Sequence, residues 1–149
     1  MISEIHRKIV LLFFPTLIIL FTSFHLQQTE PWAPNQLMPP EDLAAIINHP
    51  TIAKPLIISV GPGALINGSI DIGPANDKAN LDKLKELLAK EKKDRVIIIY
   101  CGCCPFEHCP NIRPAFILLN EMKFTHHKLL SLPHNIKVDW IDKGYPTTK

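Results

Sequence analysis

Two short apolar runs, "LIISV" from Leu56 to Val60 and "VIIIY" from Val96 to Tyr100, constrain this chain more than any other feature. Neither alternates apolar with polar residues, as a strand with one wet face would. Both are too short for a buried helix and rich in β-branched residues, so they read as strands covered on both sides. Such strands belong to parallel sheets, whose crossover connections lay helices over both faces.

The segments between them fit that scheme. Pro39-Pro40, then Glu41-Asp42 and Leu43, Ile46 and Ile47, predict a short helix with proline at its start, acids in its first turn and Pro50 at its end. Between Asp77 and Lys92, Leu81, Leu84, Leu87 and Leu88 fall at helical spacing among charges, which predicts an amphipathic surface helix. Pro114 is expected to open a third helix through "PAFILLNEM". Ile70 to Ile72 and "KLLSL" from Lys128 to Leu132 are further strand candidates. In the tail "HNIKVDWIDKGYP", Ile136, Trp140 and Ile141 can share a helix face, with Gly144 at the stop. The expected fold is α/β: a central, mainly parallel sheet with helices on both faces. Sites in such folds lie in the loops at the carboxyl ends of the strands.

The N-terminus departs from this pattern. Arg7 and Lys8 precede Ile9 to Phe24, sixteen residues without a charge. A signal-peptide core needs about 7–15 apolar residues and a spanning helix roughly 20, so residues 1–26 read as a signal peptide or an N-terminal membrane anchor. Either implies an exported domain, periplasmic or otherwise extracytoplasmic, with anchoring through residues 9–24 in the second case. Residues 27–35, with two prolines and no periodicity, read as a linker, and 36–147 as the folded domain. The net charge is +2, and loss of Arg7, Lys8 and Glu4 leaves +1, so no nucleic-acid partner is expected. The run "KEKKDR" from Lys90 to Arg95 reads as a solvated helix end.

All four cysteines lie in "YCGCCPFEHCPNIRPA", directly after the second apolar run. Several chemistries are open to them. Cys101, at the end of a strand and ahead of a helix, is best placed to become a thiolate through backbone N–H donors and a helix dipole. Arg113 adds a positive charge that can bind an anion, steady a thiolate or order the loop. A metal site would draw on Cys101, Cys103, Cys104 and Cys109, with His108 as a further ligand. Adjacent Cys103 and Cys104 suit a thiolate-loving ion such as Cu(I) better than zinc. An oxidising compartment also permits disulfides, with Cys103-Cys104 the most strained pairing. Cys101-Gly102-Cys103-Cys104 further contains the C-x-x-C spacing of a thiol–disulfide oxidoreductase. His25, His126 and His127 form no constellation and read as surface or structural residues.

Taken together, the strand ending in "YC", the loop with a downstream arginine, "LIISV" followed by "INGSIDIGPA", and the tail from Trp140 to Pro146 resemble a rhodanese-like, single-domain sulfurtransferase with an extended, cysteine-rich active-site loop. The resemblance covers roughly Gln36 to Pro146 and implies a rhodanese-like α/β fold whose central, mainly parallel sheet has about five strands. It implies that Cys101 is the nucleophile, taking sulfur from a small anionic donor such as thiosulfate as a persulfide and passing it to a thiol acceptor, without a cofactor. It also implies that Arg113 is the arginine ending the loop. Gly102 and the loop backbone would supply N–H donors, and Cys103, Cys104 or Cys109 would serve as resolving thiols, with Cys104 and Cys109 foremost. The chain departs from the family where Ser59-Val60-Gly61 replaces an acid and arginine, where Ser69 replaces a histidine, and where Cys101 and Arg113 stand twelve positions apart. A non-catalytic module of the same fold, binding a soft metal such as copper, is the remaining alternative.

Overall fold

A computed structural model describes residues 30–149. The expected signal or anchor segment lies outside them. Five parallel strands form one sheet: β1 (Leu37–Met38), β2 (Leu56–Ser59), β3 (Ser69–Asp71), β4 (Ile97–Tyr100) and β5 (His127–Leu130), in the spatial order β1-β5-β4-β2-β3. In the centre, Leu56 pairs with Ile97 and Ser59 with Tyr100, so β2 and β4 end level with each other. Helices α1 (Pro40–Asn48), α2 (Lys78–Leu88) and α3 (Ile112–Glu121) connect the strands. This is the α/β architecture with a parallel sheet that the two apolar runs require.

Alternation along β4 divides the core. Ile97, Ile99 and Cys101 belong with Leu84 and Leu88 of α2 and Ile112, Ala115, Phe116 and Leu119 of α3. Ile98 and Tyr100 belong with Leu43 of α1 together with Leu132, Ile136 and Trp140. Each fully buried aliphatic side chain contributes about 1.5–3 kcal/mol of transfer free energy, which explains why both faces of these strands are apolar. His127, at the start of β5, is buried: its ring lies 4.7 Å from that of Phe116, and its Nε2 is 2.9 Å from Asn120 Oδ1.

Local signals set the helix ends. Asp77 caps α2 by accepting a hydrogen bond from the Ala79 N–H at 2.8 Å. That helix stops at Leu88, short of the expected Lys92, and the basic run continues in turns where Arg95 sits 4.0 Å from Glu91. The third helix begins at Ile112, two residues before Pro114. Proline fits there because the first four N–H groups of a helix have no partner within it.

Within the stretch read as a linker, Trp32 is buried in the core, its ring 5.7 Å from Phe116 and 6.2 Å from Phe106. One further expectation is corrected. The tail forms a five-residue π-helical turn, Lys137–Ile141, in place of an α-helix. Ile136 and Trp140 are buried, but Ile141 is 42% exposed and does not share their face. Among the described residues no helix is long and apolar enough to cross a membrane.

Candidate functional site

Cys101 follows β4 directly, and Gly61 stands just past the end of the neighbouring β2. A Cβ on Gly61 would lie 2.6 Å from the Cys101 sulfur. Glycine at this position therefore leaves the space that the sulfur fills. The sequence alone gives Gly61 no role of its own, whereas the close approach of the two strand ends gives it a steric one.

Cys101 is fully buried. Its Sγ lies 3.3 Å from that of Cys103, and Cys103 Sγ lies 3.4 Å from that of Cys104. Cys101, Cys103 and Cys109 bring their sulfurs within 4.8 Å of one another, a group spaced to hold one metal ion. Cys104 falls outside this trio although its thiol interacts with both Cys103 and Cys109. His108 is exposed, in the short turn Phe106–His108, and is not part of the group. All four cysteines are free thiols.

Asn111 completes the surroundings of Cys101. It is 5% exposed, its Nδ2 donates to Cys101 Sγ at 3.5 Å, and its Oδ1 accepts from the Asn76 N–H at 3.2 Å. Sequence reasoning misses this residue. Its signal is an asparagine at a helix entrance immediately after the cysteines, a position usually explained by capping, yet it makes no capping bond here.

These neighbours separate the thiols electrostatically. The Cys109 thiol does most to lower the Cys101 pKa. Burial opposes it, and the Cys103 N–H, the Asn111 amide and the Cys103 thiol add to the lowering, holding Cys101 at about 5. Cys103 is pushed up to about 12, first by burial and then by the sulfurs of Cys101 and Cys104. Cys109 is also raised, chiefly by Cys101 and then by burial. The arrangement thus holds one thiolate at neutral pH, with protonated thiols donating toward it.

The backbone donor to Cys101 is the N–H of Cys103 and not that of Gly102. Gly102 instead marks a tight contact with the tail, since a Cβ there would meet Ile136 at 2.6 Å, and its carbonyl accepts from the Ile136 N–H at 3.0 Å. Arg113 pairs with Glu30, donates to the Glu107 carbonyl at 2.7 Å and lies 5.5 Å over the Trp32 ring. Its bonds order the cysteine loop from outside. Shallow clefts between Lys90 and Val96 and around residues 125–128 lie at the opposite, amino end of the strands, away from the sulfurs.

No protein-family model matches the chain, and no curated protein matches it either.

Proposed function

We propose that this domain is a rhodanese-like sulfurtransferase or sulfane-sulfur carrier that holds its sulfur on Cys101. The observation that carries the reading is the placement of Cys101: buried at the carboxyl end of the central strand, with the Asn111 amide directed at its sulfur and Gly61 leaving it room. The parallel sheet, and the resemblance of "YC" and the tail to that family, support it.

In the proposed reaction the Cys101 thiolate attacks the outer sulfur of thiosulfate. The sulfur–sulfur bond of the donor breaks, sulfite leaves with the bonding pair, and Cys101 carries a persulfide. An acceptor thiolate then attacks the terminal sulfur, forms its own persulfide and returns Cys101 as thiolate. The N–H of Cys103 and the Asn111 amide stabilise the anion in both states. Because Cys101 is fully buried, donor access requires a neighbouring side chain to move, and the exposed Cys103, whose sulfur lies 3.3 Å away, is the nearest one able to do so. Arg113 acts by ordering the loop through Glu107.

The test is intact mass after incubation with thiosulfate. Wild type gains one sulfur atom and Cys101→Ser gains none; absence of any gain in wild type would overturn the proposal. The 3.3 Å separation of Cys101 and Cys103 favours one second reading, a thiol–disulfide oxidoreductase. Insulin reduction together with no sulfur uptake would select it. The reading includes export of the domain from the cytoplasm, and cell fractionation that finds it only in the cytoplasm would refute that part.

A further inference from the structure

We infer that Cys101, Cys103 and Cys109 form a three-thiolate site for a single Cu(I) ion. This goes beyond sulfur transfer, which needs only Cys101 among the cysteines. The three ligands come from separate backbone positions fixed by the fold: the end of β4, the loop, and the approach to α3. Their sulfurs lie within 4.8 Å of one another. Two are fully buried, so most of the site is already desolvated.

The donor set selects the ion. Three sulfurs without nitrogen or oxygen ligands favour a soft cation such as Cu(I). Structural zinc takes four ligands in a tetrahedron. The fourth candidates here are less well placed: His108 is exposed and outside the group, and Cys104 reaches Cys103 and Cys109 but is not grouped with Cys101. Cys104 is suited instead to entry. The exposed Cys103 and its neighbour at 3.4 Å offer a surface pair that can take the ion from a donor by ligand exchange and pass it inward. The ion arrives and stays as Cu(I), so no electron moves, and each ligand still protonated releases its proton to solvent on binding.

The experiment titrates the reduced full-length chain anaerobically with Cu(I) against the chromophoric chelator bathocuproine disulfonate. Wild type should take one equivalent, and X-ray absorption should show sulfur neighbours only. Cys103→Ser, at an exposed position, should weaken binding by more than about 100-fold, above the roughly 10–100-fold typical of losing a supporting outer partner. Cys109→Ser should do the same, with circular dichroism checking its fold. Cys104→Ser should slow uptake and cost far less affinity than Cys103→Ser, because it removes no member of the trio. Equal binding by wild type and Cys103→Ser, an affinity loss at Cys104→Ser as large as that at Cys103→Ser, or tighter binding of Zn(II) than of Cu(I) would overturn the inference. Sulfur loading is read separately, on metal-free wild type by intact mass. A chain that gains sulfur but takes no Cu(I) sinks this inference alone, and one that binds Cu(I) but gains no sulfur sinks only the transfer reading.

Discussion

Tyr100 and Cys101 are adjacent, both buried and at the same strand end, yet they face opposite sides of the sheet and meet different chemistry. The Tyr100 hydroxyl accepts from the Leu65 N–H at 3.0 Å and the Ile66 N–H at 3.2 Å and lies 3.0 Å from Ser69 Oγ. Every group there has a strong oxygen or nitrogen partner. Cys101 meets the sulfurs of Cys103 and Cys109, one side-chain amide and the bare face of Gly61. One strand end is locked by strong polar partners, while its neighbour holds a thiolate among soft, weak ones.

The sharpest way to break this contrast is to remove each side chain in turn. Cys101→Ser should abolish sulfur uptake, whereas Tyr100→Phe should retain it when measured by mass per folded molecule. Gly61→Ala comes next: its new Cβ overlaps the Cys101 sulfur, and misplacement of a reacting atom should slow sulfur loading by on the order of 10-fold or more. Tyr100→Phe should cost about 1–3 kcal/mol in urea unfolding, because the Leu65 and Ile66 N–H groups lose their acceptor.

The pH dependence sharpens the comparison further. Only the thiolate reacts, so alkylation of Cys101 by iodoacetamide, followed on its own peptide by mass, should rise through about pH 5 and level off above it. Asn111→Leu should move that midpoint upward; an unchanged midpoint would remove Asn111 from the site. The smallest effect is expected at Asp139, which accepts from the His134 and Asn135 N–H groups at 2.7 and 3.0 Å. Burial works against its ionisation, but the His134 ring and these N–H groups outweigh it and hold its pKa below the usual aspartate value. A depressed carboxylate contributes stability above its unfolded pKa and loses it as pH falls through the folded one. The stability difference between wild type and Asp139→Asn should therefore shrink below about pH 4.

The sheet is legible in the sequence because burial on both faces writes itself into composition: Leu56 to Ser59 and Ile97 to Tyr100 have few polar letters. Strand β1 is not, since two residues, Leu37 and Met38, are too few to show a period and gain their place only by pairing with Leu129 and Leu130. Trp32 is hidden among prolines, where local composition reads as linker and only the distant rings of Phe106 and Phe116 explain its burial. At the site, the position of Cys101 follows from its strand end. The approach of Cys103, in place of Cys104, depends on the path of the loop, which no spacing rule records. The roles of Gly61 and Asn111 likewise depend on neighbours from other parts of the chain.

Because Ile136 packs on Gly102, the loop carrying Cys101 is held by a residue made more than thirty positions later. The chain end closes still later, where the Thr148 N–H donates to the Leu65 carbonyl at 3.0 Å. During synthesis the four thiols therefore emerge well before the residue that fixes the base of their loop. Until Ile136 docks, the loop is not yet held in the path that brings Cys101, Cys103 and Cys109 together, so the geometry of the sulfur cluster is completed only near the end of synthesis.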